Sequence, residues 1–116
     1  MGGIKNRVQL IGRLAAKPEI NRFESGKVKA SFRMATNEYY KNAKGERVEE
    51  TTWHNVSAWD KAASIIEKYT DKGSEIGIVG KLSSKSYDDK DGNKKYYTEV
   101  IADEVLLLGE KSTVES

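Results

Sequence analysis

Residues 51–69 read Thr51-Thr52-Trp53-His54-Asn55-Val56-Ser57-Ala58-Trp59-Asp60-Lys61-Ala62-Ala63-Ser64-Ile65-Ile66-Glu67-Lys68-Tyr69, and the pattern changes period once within them. Up to Trp59 the alternation is that of a strand. Trp53 and Trp59 share one face with the polar Thr51, Asn55 and Ser57, while Thr52, Val56 and Ala58 form a small or apolar inward face. From Asp60 onward, Ala62, Ile65, Ile66 and Tyr69 recur at i, i+3, i+4 and i+7, which predicts a short amphipathic helix. Asp60 is positioned as its N-cap and Gly73 as a left-handed C-terminal stop. No other segment reads as a helix.

Strand patterns surround this switch. Val8, Leu10, Gly12 and Leu14 alternate with Arg7, Gln9 and Arg13 until Pro18 closes the segment. After a turn at Glu24-Ser25-Gly26, Val28, Ala30, Phe32 and Met34 alternate with Lys27, Lys29, Ser31 and Arg33. Asn42-Ala43-Lys44-Gly45-Glu46 then makes a hairpin into the tryptophan strand, leaving Tyr39 and Tyr40 near the tip of a β-ribbon. Beyond the helix, Ile76, Ile78, Gly80 and Leu82 mark a buried strand that runs on to Tyr87, and a last strand passes from Tyr96 to Leu108. Gly77 and Gly80 indicate sharp bending or close backbone approach. Three strands, one helix and two strands predict an all-β domain with one short helix, a five-stranded antiparallel OB-fold barrel. The domain is expected over residues 1–109, with 110–116 as a short disordered tail.

Composition narrows the chemistry. The 116 residues suffice for one self-supporting core, and the absence of cysteine removes disulfides, thiolate metal sites and thiol catalysis, in keeping with a reducing compartment. No apolar run reaches the ~18 residues of a membrane span, and the first residues lack the apolar middle of a signal peptide. Net charge is only +2, yet residues 1–45 hold ten Lys/Arg against three Asp/Glu while residues 46–116 hold ten against fifteen. A basic surface suited to a polyanion is one reading of that asymmetry, and charged strand edges that resist aggregation are the other.

Aromatics and cations interleave on two hairpins, with Tyr40 beside Lys41 on one and Lys85 beside Tyr87 on the other. Single-stranded nucleic acid suits this combination, with rings for the bases and cations for the phosphates. The alternative for each ring is packing in the core, across a hairpin or between subunits. His54, the one histidine, points away from the tryptophans, where a packing or subunit-contact role fits it better than catalysis. Asp88, Asp89 and Asp91 resemble part of a calcium loop without its bidentate Glu, and read as ordinary turn chemistry. There is no Walker-type loop and no nucleophile elbow, so neither an enzyme nor a cofactor is expected.

Over about residues 4–109 the chain resembles the bacterial single-stranded DNA-binding protein family. The resemblance rests on Lys5-Asn6-Arg7-Val8-Gln9-Leu10-Ile11-Gly12-Arg13-Leu14, Met34-Ala35-Thr36-Asn37-Glu38, Thr52-Trp53-His54-Asn55-Val56, Lys72-Gly73-Ser74 and Val79-Gly80-Lys81-Leu82, all in family order. It implies an OB-fold homotetramer that wraps single-stranded DNA without a cofactor. It also implies stacking rings at Tyr40, Trp53, Trp59 and Tyr87, where the family commonly has tryptophan at the first and last and phenylalanine at the third. Basic contacts are implied at Lys5, Lys41, Lys61, Lys72 and Lys85, to which the strand-face reading adds Arg33. His54 matches a position near the family's subunit interface.

The expected role is strand coating in replication, recombination and repair, in the cytoplasm on the nucleoid and not at a membrane. Gly109-Glu110-Lys111-Ser112-Thr113-Val114-Glu115-Ser116 stands where the family continues into a linker and an acidic tip that recruits replication and repair proteins. A short paralogue from a mobile element and a shortened chain both fit that ending. A tailless primosome-type OB protein that bridges replication proteins is the alternative reading.

Overall fold

The computed structural model describes residues 4–108. A 3-10 turn at Ile4–Asn6 leads into β1 (Val8–Leu14), β2 (Glu19–Arg22), β3 (Val28–Lys41), β4 (Arg47–Trp59), α1 (Asp60–Tyr69), β5 (Glu75–Asp88) and β6 (Lys94–Leu107). The sheet runs β1-β5-β6-β4-β3-β2, and β1 also pairs with β3 at Arg13↔Ala35 and Leu14↔Met34. Five strands therefore close on themselves as a barrel. The short β2 hangs outside the ring as a hairpin on β3, an extra strand that four polar-rich residues did not announce. Residues 110–116, expected to form a tail, lie outside the described residues.

The barrel is not wholly antiparallel. Strand directions can alternate all the way round a ring only if the number of strands is even, so a five-stranded ring must contain one like-directed pair. That pair is β4–β6, in register at Val56↔Val100, Ser57↔Ile101 and Ala58↔Ala102. The chain reaches β6 from β4 by way of α1 and β5, the kind of indirect route that parallel neighbours require.

The inward faces of all five ring strands meet in one core of Leu14, Ala30, Phe32, Met34, Val56, Ala58, Ile76, Ile78, Val100 and Ala102. Helix α1 adds Ala63 and Ile66 as it packs on β3, β4 and β6. The expected helix stripe is thus shifted: Ala62 and Ile65 are half-buried and Tyr69 is exposed, because the helix turns its Ala63–Ile66 line to the barrel. Arg22 of β2 donates to both Glu67 carboxylate oxygens at 2.8 and 2.6 Å, tying the outer hairpin to the helix.

The helix ends also differ from the expectation. Asp60 makes no side-chain cap; at φ 51° it sits in the left-handed region that Asp tolerates, and its carboxylate accepts from the Val28 amide at 3.2 Å. The helix stops at Thr70, an extended residue whose amide and hydroxyl both donate to the Ile66 carbonyl. Gly73, with φ 85°, instead forms the turn before β5 and donates its amide to Leu14. The two long hairpins use one device. Asn42 and Asp89 each accept two backbone N–H groups through a side-chain oxygen, so Asp89 and Asp91 are turn residues as expected, while Asp88 is the last residue of β5, paired with Lys94.

Close backbone approach sets the ring's dimensions at two glycines. A Cβ on Gly12 would lie 2.1 Å from the Ala35 carbonyl oxygen, at the β1–β3 closure. A Cβ on Gly80 would lie 2.0 Å from the Ile101 carbonyl oxygen, beside the bulge that shifts the β5–β6 register. Gly77, by contrast, faces only side chains and a carbonyl at 3.5 Å or more, so close backbone contact is required at Gly80 and not at Gly77. Gly80→Ala is expected to destabilise the fold by about 1–3 kcal/mol, since backbone and not a flexible side chain must move. Urea unfolding measures this, and an unchanged midpoint would show that the β5–β6 bulge can relax.

Candidate nucleic-acid interface

Both long hairpins project beyond the ring. Past Ala35, β3 pairs with β4 alone, and past Gly80, β5 pairs with β6 alone. Aromatic side chains on these arms have no core to enter. The β3–β4 register orders the outer face of the first arm as Lys29↔Trp59, Ser31↔Ser57, Arg33↔Asn55, Ala35↔Trp53, Asn37↔Thr51, Tyr39↔Glu49 and Lys41↔Arg47. Every second residue shows on that face.

Trp53 is 51% exposed, and the Arg33 guanidinium lies 4.8 Å from its ring centroid. Arg33, expected only as an outward basic residue, lies over this ring in a cation–π contact, and the half-exposed indole still presents surface to solvent. Trp59 is more sheltered. Phe23, from the β2–β3 turn, stacks on it at 5.9 Å with 22° between the planes, and the Lys29 ammonium lies 5.6 Å from its centroid. Neither Phe23 nor Lys29 was among the expected site residues. The signal for Lys29 was in the alternation that already put Arg33 outward, whereas Phe23 reaches Trp59 only through the folding back of β2.

Ser57 departs from the open polar face expected of it, being buried while Thr51 and Asn55 are exposed. At that position β4 is flanked on both edges, by Ser31 of β3 and Ile101 of β6, so a short side chain is shielded from solvent. His54 lies on the opposite face, paired with Met34; it is half-buried and 3.0 Å from the Thr36 hydroxyl.

Tyr40 is exposed at the arm's tip, but it pairs with Val48 and so stands on the face opposite Trp53. Its neighbours there are Glu38 and Glu50, which face each other across the strands. On the second arm, Tyr87 is exposed and meets Tyr97 edge-on at 6.4 Å. The Lys85 ammonium is 3.5 Å from the carboxylate of Glu99, which is buried. A phosphate at Lys85 would have to share or displace that partner.

The other basic residues are spread around the fold. Lys5 precedes Asn6, whose side-chain amide exchanges two hydrogen bonds with Leu82 and so fixes the start of β1 against β5. Lys41 closes β3 opposite Arg47, Lys61 lies in the first turn of α1, and Lys72 lies in the turn before β5. All four are exposed. The described residues contain no group of three or more His, Asp or Glu placed to hold a metal ion.

Residues 5–108 match the Single-strand binding protein family. The chain belongs to this family. Among its relatives, single-stranded DNA-binding protein 1 of Chlorobaculum tepidum is 40% identical over 109 residues, covering 93% of this chain and 67% of that protein. Single-stranded DNA-binding protein 1 of Staphylococcus aureus is 41% identical over 108 residues, covering 93% and 68%. A solved structure of a Plasmodium falciparum SSB complex with ssDNA superimposes with a TM-score of 0.84 at 27% identity, covering 94% of this chain and 99% of that one. Within this family member, Trp59 has Phe23 stacked against it. Phe23→Ala in a Trp53→Phe background should red-shift the emission of Trp59 and increase its quenching by acrylamide, because one ring face loses its cover. An unshifted spectrum would mean that Phe23 does not shield it.

Proposed function

We propose that this protein binds and coats single-stranded DNA without sequence readout, as a non-enzymatic factor in replication, recombination and repair. The observation that carries this reading is the outer face of the β3–β4 arm, where an exposed indole lies under an arginine on a ribbon that buries neither. A flat ring beside a cation offers a base its π-face and a phosphate its counter-charge. The names of the relatives and the single strand bound in the superimposed Plasmodium falciparum complex support the choice of ligand. Trp53, Trp59 and Tyr87 serve as stacking rings, with Tyr40 at the tip. Lys5, Arg33, Lys41, Lys61, Lys72 and Lys85 neutralise phosphates.

The unit that binds is a homotetramer. On the outer face of β1–β5–β6, Ile11, Gly77 and Leu106 form one row across three strands, with Ile11 and Leu106 each 62% exposed on either side of the glycine. Contiguous apolar exposure of this kind marks a protein contact. His54 and Thr36 line a groove with Leu10 and Ile11, which supports a place for His54 at the same contact.

Titration with oligo-dT and with duplex DNA, followed by tryptophan emission, tests the binding. Salt-sensitive quenching by the single strand alone is expected, and Trp53→Ala should weaken binding by about 1–3 kcal/mol irrespective of base sequence. Equal quenching by duplex, or none by either, would overturn the reading. Replacing Ile11 by Lys should reduce the mass seen in sedimentation to that of a smaller assembly, and an unchanged mass would place the subunit contact elsewhere.

A further inference from the structure

At the tip of the β3–β4 arm two adjacent tyrosines are equally exposed, at 52% each, but the pairing register gives them opposite faces. Tyr39 stands in the row after Asn37↔Thr51 on the face that carries Trp53 and Trp59. Lys29, Arg33, Lys41 and Arg47 share that face, with Glu49 as the acid opposite Tyr39. Tyr40 shares its face with Glu38 and Glu50. Charge on the arm is therefore sided, with cations on the tryptophan face and a carboxylate pair on the other.

We propose that Tyr39, with the Arg47 guanidinium stacked on it, is a further base-stacking position that extends the Trp59–Trp53 track to the end of the arm. The proposal rests on the single-strand-binding reading above and adds a ring to it. Arg47 lies 4.2 Å from the centroid of Tyr39, a repeat at the tip of the Arg33–Trp53 arrangement. The Tyr39 hydroxyl reaches Glu49 at 3.4 Å, which ties the ring to the neighbouring strand. No core explains the ring, since β3 at Tyr39 pairs only with β4. Counting along the strands at about 3.4 Å per residue, the rows of Trp59 and Trp53 are about 20 Å apart and those of Trp53 and Tyr39 about 14 Å apart. The Asn37–Thr51 hydrogen bond of 2.8 Å lies in the interval, giving a small polar stretch between two rings. A strand lying along this face meets ring and cation together at each station.

The competing role for Tyr39 is packing across the hairpin, where an aromatic and its diagonal neighbour stabilise the ribbon. Leucine separates the two roles because it keeps an apolar contact with the Arg47 side chain and lacks a flat π-face. The full chain is titrated with a long oligo-dT at moderate salt, comparing the parent with Tyr39→Leu, Tyr39→Phe and Trp53→Ala, and each variant's melting temperature is measured. Tyr39→Leu should lower affinity by about 5- to 150-fold, the equivalent of one lost stack. Its tryptophan quenching at saturation should match the parent's, because Trp53 and Trp59 still stack, and Tyr39→Phe should bind like the parent. Affinity of Tyr39→Leu within about twofold of the parent, with Trp53→Ala impaired, would overturn the Tyr39 assignment and leave the rest of the track standing. Loss in Tyr39→Leu and Tyr39→Phe alike, with a lowered melting temperature in both, would make Tyr39 a ribbon-packing residue. Full affinity in both Tyr39→Leu and Trp53→Ala would remove the single-strand reading on which the proposal depends.

Discussion

Closing five strands into a ring forces one pair of neighbours to run the same way, and the parallel contact of β4 with β6 is where this chain meets that requirement. Much of the architecture follows from it. Strands β4 and β6 cannot be joined by a tight turn, so the chain leaves β4 at Trp59, crosses as α1 and returns through β5. The helix then supplies Ala63 and Ile66 to the core formed by the inward faces of the strands. At the other side of the ring, β1 touches β3 for only two residue pairs, and the missing side chain of Gly12 permits that approach. Without it the barrel would remain an open, curled sheet with exposed edges.

Closure also explains where the exposed aromatic residues lie. The ring strands β3, β4, β5 and β6 are longer than the barrel needs, and their outer halves continue as two paired arms. A ribbon paired only with itself has two open faces and no core to bury, so large rings on it are available for contact. The outer face of the first arm is also charged asymmetrically, with cations beside the rings and the facing pair Glu38 and Glu50 on the reverse. Affinity built from stacking and phosphate neutralisation needs no hydrogen-bond pattern from the bases, so a surface of this kind tolerates any sequence.

Membership of the family settles the broad class, and the individual residues give this member its character. Trp59 is clasped by Phe23 and Lys29 rather than standing free. Lys85 has a resident partner in the buried Glu99, so a phosphate placed there would compete with that carboxylate. The row of Ile11, Gly77 and Leu106 leaves two apolar side chains exposed, on strands other than those of the aromatic arm.

Alternation in residues 28–34 and 51–59 and the change of period at Asp60 were enough to determine the strand-rich class, the single helix and its place after the tryptophan strand, because side-chain direction repeats every two or 3.6 residues wherever the backbone is regular. The same local logic exposed Trp53 and Arg33 on one face and turned His54 to the other. Only the tertiary structure decided the parallel pair, the short outer strand β2, the burial of Ser57 and the cover of Trp59, since each depends on which distant strand lies alongside. Asp60 shows the limit most clearly. Its place at the head of the helix was legible, but the Val28 amide, 32 residues away in the chain, took the oxygen that local rules assign to a cap. Periodicity reports the faces of each element, whereas pairing across the barrel determines what those faces meet.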